Sequence, residues 1–315
     1  MVRPRVVITP GDPAGIGPEI VEKILTRPSI YKKILPIVIG DRRLFPRLAR
    51  AGKKLSAVFV DLPYPELEKL IPGKYSSATG KYSYEATLRA VELIEAGRGD
   101  ALVTAPVSKA AMYLAGVHYP GQTELIADVT GTKNYAMLMA AGGIVSAMVT
   151  RHVAVTDVSK NISVNKITDL VQLLDRFLRE AFRIKYPRIC VAALNPHAGE
   201  NGLLGKEEKL VISPAVSFLK ENGLNVNGPL PCDSAWVKIK KKEFDALVTM
   251  YHDQTMIALK CLSPEKIVNI TAGLPFIRTS PGHGTAFDIA GKNAADPRPM
   301  FEAVLTAARL SMNLI

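Results

Sequence analysis

Val6-Val7-Ile8-Thr9, then Pro10-Gly11-Asp12-Pro13-Ala14-Gly15-Ile16-Gly17, then Pro18 to Leu25 follow one another near the start of the chain. The β-branched run reads as a strand, the Gly- and Pro-rich segment as a turn, and Pro18 suits the first turn of a helix. Further units of this kind follow. Leu35 to Ile39 is a second strand stopped by Gly40-Asp41, and Glu85 to Glu95 is a helix closed by Gly97-Arg98-Gly99. Asp100-Ala101-Leu102-Val103-Thr104 returns almost unchanged as Asp245-Ala246-Leu247-Val248-Thr249, two buried strands that each open onto a polar loop. That repeat is too short to argue duplication. Ile167 to Phe182 and Glu207 to Asn222 read as helices, and Pro299 to Leu314 as a closing helix. Short strands alternating with longer amphipathic stretches predict an α/β protein with mostly parallel strands.

Histidines mark three of the strand ends. Ile144 to Thr150 leads to Arg151-His152, Ile189 to Leu194 leads to Asn195-Pro196-His197, and Ala246 to Met250 leads to Tyr251-His252. Ligands of α/β proteins bind at the carboxyl ends of parallel strands. Three imidazoles so placed suit a tridentate metal site with one position open to substrate. Any one of them alone would read as a turn cap, and the spacing is no metal motif of the HxxxH kind. Three equivalent placements favour a shared site.

Two Gly-rich loops and a cationic stretch complete the candidates. The 10–19 loop has glycines for close backbone approach and a helix start for an anion, but no Gly-Lys-Ser/Thr follows and Ile20 stands where GxGxxG needs glycine. A tight structural turn is an equal reading. Thr279 to Asn293 is long, Gly-rich and poor in secondary-structure signal, as functional loops often are. Within it His283 suits a stacking or hydrogen-bonding role, with fourth metal ligand as the other reading. Lys260, Asn269 and Arg278 together would form a pocket for a phosphate ester, with Arg as the bidentate element, although each alone would read as surface or structural.

Composition narrows the classes. In 315 residues, 48% hydrophobic and 22% charged, there is material for one large or two medium domains. The net charge of +11 favours anionic partners. The run Lys238-Ile239-Lys240-Lys241-Lys242 lacks interleaved aromatics and reads as a solvated segment before a strand, so nucleic-acid binding ranks far below an enzyme. Cys190, Cys232 and Cys261 form no CxxC pair, which favours a reducing cytoplasm over a disulfide framework. Neither a signal-peptide core nor a membrane-length apolar run is present, so no membrane partner is expected.

Taken together, Val6 to Pro18, Leu194-Asn195-Pro196-His197-Ala198-Gly199-Glu200, Asn227 to Pro231, Met250 to Gln254 and Gly273 to Ser280 resemble the 4-hydroxythreonine-4-phosphate dehydrogenase family of vitamin B6 biosynthesis. The likeness covers nearly the whole chain. The early loop and the His283-to-Asn293 loop more distantly resemble those of isopropylmalate and isocitrate dehydrogenases.

The resemblance implies a two-domain α/β/α fold of the isocitrate/isopropylmalate dehydrogenase kind with the active site in the interdomain cleft. One domain would be 1–118 plus 293–315 and the other 119–292, carrying metal and dimer-interface segments. It implies a homodimer and a divalent ion (Zn, Mg or Co) on His152, His197 and His252, completed across the dimer. Substrate would meet Gln122, Thr123, Lys260, Asn269 and Arg278, and NAD or NADP would meet His283, Gly284, Thr285, Asp288 and Asn293. The implied reaction oxidises 4-phosphooxy-L-threonine to a β-keto acid that decarboxylates to 3-amino-2-oxopropyl phosphate. Asp233 and Lys109, with Asp253, are the candidate bases. Gln122 departs from the pattern, since the best-known members carry histidine there, and related enzymes oxidise D-threonate or D-erythronate 4-phosphate.

Overall fold

The computed structural model describes residues 3–51 and 57–314, so Met1, Val2, residues 52–56 and Ile315, which include the outer limits of the expected domains, lie outside the described residues. The chain forms two compact units, unit 1 from residues 1–133 and 268–315 and unit 2 from residues 134–267.

The strands of unit 1 are β1 (Arg5–Thr9), β2 (Leu35–Ile39), β3 (Val58–Val60), β4 (Ala101–Thr104), β10 (Val268–Ala272) and β11 (Ile277–Pro281). They lie in the order β3-β2-β1-β4-β11-β10. All neighbours are parallel except β10, which runs antiparallel to β11. Val7 and Leu102 face helix Ser77–Glu95 in an apolar cluster with Ile37, Ala90 and Ile94. On the opposite face Thr279 donates from Oγ1 to the Ala303 carbonyl of helix Arg298–Met312 at 2.9 Å.

In unit 2 the strands are β5 (Ala136–Ala141), β6 (Ile144–Met148), β7 (Ile189–Ala192), β8 (Val226–Leu230) and β9 (Ala246–Thr249), in the order β5-β6-β9-β7-β8. β5 and β6 are antiparallel, and β6, β9, β7 and β8 are mutually parallel. The α/β class and the parallel core follow the alternation read from the sequence.

The repeated Asp-Ala-Leu-Val-Thr has a local cause. Asp100 accepts from the Arg5 backbone N–H at 2.6 Å and pairs with its guanidinium, also at 2.6 Å, where β1 starts. Asp245 does the same for Arg188 just before β7, at 2.8 and 2.9 Å. In each unit the aspartate ties the entry of a central strand to that of its neighbour.

Three segments differ from expectation. Thr279–Pro281 is not loop but the buried end of β11, because its backbone pairs with β10 and the Thr279 hydroxyl finds a partner on the closing helix. Helix Ser77–Glu95 starts well before Glu85, since Ser76 caps it through Thr79 and Thr79 returns a bond to the Ser76 N–H. The stretch 207–222 is not one helix: a π-helical turn, Glu208–Ile212, precedes helix Ser213–Glu221. The division into units at 133/134 and 267/268 also differs from boundaries at 118/119 and 292/293. Helix Gln122–Val129 packs on helix Ser77–Glu95, and β11 pairs with β4, which keeps both segments in unit 1.

Candidate active site

In unit 1 the site is built around a buried arginine. Arg278 on β11 stands opposite Thr271 on β10, and Asn269 stands opposite Ser280, so all four side chains leave the same face of the sheet. Thr104 at the end of β4 shares that face through the β4–β11 register, and Thr9 through the β1–β4 register. Arg278 is 2% exposed. Its Nη1 donates to Thr123 Oγ1 at 3.0 Å and Thr271 Oγ1 at 3.1 Å, and its Nη2 donates to Thr104 Oγ1 at 2.7 Å and Gln122 Oε1 at 3.4 Å.

Every one of those acceptors is neutral. Burial pushes the guanidinium down to about 10, opposed by the Glu124 carboxylate, so it remains charged at neutral pH. A buried cation held by neutral oxygens is stabilised when an anion reaches it. Arg278 Nε, Asn269 Oδ1 and Thr9 Oγ1 are buried without a hydrogen-bond partner among the described residues. Buried polar groups are nearly always paired, so the chemistry of these atoms suits a ligand with both donors and acceptors.

Gln122 and Thr123 open helix Gln122–Val129, and Gln122 Nε2 also donates to Thr87 Oγ1 at 3.2 Å. The sequence thus named four members of this cluster and missed Thr9, Thr104 and Thr271. Thr104 ends the repeated pentapeptide, the one signal that pointed to its position.

Also in unit 1, the early and late loops touch. The Ile16 N–H donates to the Thr285 carbonyl at 3.0 Å, and a Cβ on Gly15 would stand 2.9 Å from that oxygen. His283 Nδ1 lies 3.0 Å from the Gly284 carbonyl, while its Nε2 is buried and unpartnered among the described residues. Asp288 and Gly284 are exposed, and Asn293, at φ +56°, accepts from Lys23 Nζ through its carbonyl at 3.0 Å. Asp12 is fully buried in the early loop with its carboxyl pushed up to about 6 by burial, against hydrogen bonds from the Ala14 N–H and the Thr79 hydroxyl. Lys109 is exposed, one residue after Ser108, whose Oγ caps the helix through the Ala111 N–H.

In unit 2 the parallel strands present the histidines at their carboxyl ends. His152 and His252 stand with ring centroids 6.0 Å apart. His252 Nδ1 lies 2.7 Å from Asp253 Oδ1, and His197 Nδ1 lies 3.0 Å from Glu200 Oε1. A carboxylate on Nδ1 leaves Nε2 with its lone pair outward, the arrangement around a metal-ligating imidazole. Imidazoles so held have the chemistry of divalent-cation ligands. Among the described residues, no group of three His, Cys, Asp or Glu side chains lies close enough to hold one. Lys260 is exposed near the end of helix His252–Leu262, and Asp233 is exposed at the start of helix Cys232–Lys240, its Oδ1 accepting from the Ser234 N–H at 2.7 Å.

The chain is similar to known proteins along nearly its whole length. The family described as "Pyridoxal phosphate biosynthetic protein PdxA" matches residues 32–307. A 4-hydroxythreonine-4-phosphate dehydrogenase of Geobacter metallireducens is 38% identical, covering 98% of this chain and 96% of its own. A D-threonate 4-phosphate dehydrogenase of Salmonella typhimurium is 39% identical over 97% and 98%. The crystal structure of a 4-hydroxythreonine-4-phosphate dehydrogenase from Klebsiella pneumoniae superposes with a TM-score of 0.89 at 36% identity, covering 98% of each chain.

Proposed function

Because this chain belongs to the pyridoxal phosphate biosynthetic protein PdxA family and is a dehydrogenase, we propose that it oxidises 4-hydroxythreonine 4-phosphate with NAD or NADP, as a step of pyridoxal phosphate biosynthesis. The observation that carries this reading is Arg278, a buried cation on neutral hydroxyls beside the unpartnered Asn269 Oδ1.

Arg278 would offer the phosphate its charge and its one unpaired donor, the Nε–H, while Thr104, Thr123 and Thr271, which accept from its Nη groups, turn their hydroxyl protons toward the same phosphate. Asn269 accepts from a substrate hydroxyl, and Lys260 adds charge. A divalent cation on His152, His197 and His252, Zn, Mg or Co, would supply Lewis acidity at the substrate hydroxyl and at the ketone it becomes. The Asp253 and Glu200 carboxylates, beside Nδ1 of His252 and His197, would favour the tautomer that leaves Nε2 free for that role. Asp233 and Lys109 are the candidates to take the hydroxyl proton. A nicotinamide dinucleotide, with His283, Gly284, Thr285, Asp288 and Asn293 along it, would accept the hydride. The resulting β-keto acid loses carbon dioxide to give 3-amino-2-oxopropyl phosphate.

A homodimer that completes the metal site is part of the proposal, since among the described residues no three His, Cys, Asp or Glu side chains lie close enough to hold the ion. No helix of the described residues is long and apolar enough to cross a membrane. A cytoplasmic place for the enzyme is part of the proposal.

One observation favours a second substrate. Gln122, a neutral amide on Arg278, stands where the resemblance puts histidine in the best-known members, and relatives of both names match at 38% and 39% identity. D-threonate or D-erythronate 4-phosphate is then the substrate. Steady-state kcat/KM on 4-hydroxythreonine 4-phosphate and both sugar-acid phosphates separates the two. Preference for the amino acid supports the first reading, preference for a sugar acid the second, and turnover of none contradicts both.

A further inference from the structure

The turn that carries His197 is left-handed. His197, Ala198, Gly199, Glu200 and Asn201 have φ values of 53°, 55°, 76°, 42° and 59° with ψ between 2° and 57°. Four of these residues are not glycine, and L-residues visit this region as single positions rather than in runs. Such a run persists only where its surroundings over-determine it, and such places cluster at functional sites.

The surroundings here converge on one carboxylate. Glu208 is 5% exposed. Its Oε1 accepts from the backbone N–H groups of Leu194 and Asn195 at 2.9 and 2.8 Å, and its Oε2 accepts from Asn195 Nδ2 at 2.9 Å. Asn195 Nδ2 also reaches Glu207 Oε2 at 2.8 Å. Gly199 passes directly over the same carboxylate, since a Cβ there would stand 2.6 Å from Glu208 Oε2. The turn then closes on itself through Leu203 N–H to the Glu200 carbonyl and Leu204 N–H to the Gly199 carbonyl, at 3.2 and 3.1 Å. Glu208 begins the π-helical turn Glu208–Ile212. Single π-turns recur at functional sites.

We propose that Glu208 is a positioning residue for metal binding: it clamps the left-handed turn and thereby sets where His197 presents its imidazole. The clamp rests on the reading of His197 as a metal ligand. The Glu208 carboxylate is taken up by Leu194 and Asn195, so it acts through them rather than on a ligand. A glutamine at 208 keeps the size of the side chain, but its amide nitrogen would face the Asn195 amide, donor against donor.

The full chain is compared with its Glu208→Gln, Asn195→Ala and His197→Ala variants, by hydrogen exchange of residues 194–205 without added metal and by titration with Co2+ read from its visible spectrum. Glu208→Gln should speed exchange across the turn at least tenfold and weaken Co2+ binding at least tenfold, with exchange elsewhere unchanged. Asn195→Ala, which keeps the two backbone bonds, should do both to a smaller extent and serves if Glu208→Gln does not fold. Unchanged exchange in both variants overturns the clamp. Faster exchange with parental Co2+ affinity, while His197→Ala binds weakly, overturns the positioning role. Parental Co2+ affinity in His197→Ala overturns the ligand reading itself; the positioning claim falls with it, and exchange alone then decides whether Glu208 holds the turn.

Discussion

The side-chain amide of Gln254 donates from Nε2 to the Ala193 carbonyl at 2.8 Å, tying the exit of β9 to the exit of β7. Its Oε1 accepts from the Met250 N–H at 2.8 Å, and its own carbonyl accepts from Trp236 Nε1 at 2.7 Å. One residue thus fixes the strand ends that lead to His197 and His252. Gln254→Glu replaces the donor to Ala193 with a second acceptor. The expected cost is about 1–3 kcal/mol of stability, with weaker divalent-metal binding. Denaturant titration checks the first and metal analysis the second, and a parental midpoint would show that the bridge carries nothing.

Asp12 gives a pH dependence whose sign follows from its burial. Its carboxyl is raised from 3.8 to about 6, so between those values the folded state binds more protons than the unfolded one. Stability therefore falls as pH rises through that window and stays lower above it. Asp12→Asn removes the buried charge while keeping an acceptor for the Ala14 N–H. At pH 8 it should be more stable than the parent by about 2–3 kcal/mol, with the gain gone below about pH 4. Thermal unfolding of both proteins across pH measures this. A variant less stable at pH 8 would mean that the carboxylate has a charged partner in solution.

Arg278→Lys keeps the charge and loses the fork. Lysine has one nitrogen where Thr104, Thr123 and Thr271 meet two. The Michaelis constant for the phosphorylated substrate should rise at least tenfold, with a smaller fall in kcat. Unchanged kinetics would make Arg278 a purely structural residue.

Gln122→His places an ionisable ring against the Arg278 guanidinium. Between about pH 6 and pH 8, where imidazole titrates, the variant should gain a pH dependence in kcat/KM that the parent lacks, and its substrate preference should shift. Identical profiles on every substrate would remove Gln122 from the binding site.

The α/β class and the strand-end histidines were legible because burial leaves a periodic imprint: Val6–Ile8, Ala101–Val103 and Ala246–Val248 are apolar throughout. The threonine cage around Arg278 left none. Thr9, Thr104 and Thr271 are ordinary strand residues until the register of β1, β4, β10 and β11 brings them to one face. Thr279–Ser280-Pro281 misled in the opposite direction, since polar and Gly-neighbouring residues imitate a loop when their partners are distant in sequence. Glu208 was hidden for the same reason: its role depends on a turn of inverted handedness that no propensity anticipates.

The most direct measurement combines product stoichiometry with metal removal. The full chain is incubated with 4-hydroxythreonine 4-phosphate and NAD, and reduced dinucleotide and carbon dioxide are counted before chelation, after it, and after adding back Co2+ or Zn2+. The account predicts equal amounts of the two products, loss of both on chelation and recovery of both with metal. Undiminished formation of reduced dinucleotide in the fully chelated protein, with no metal found by elemental analysis, would contradict it.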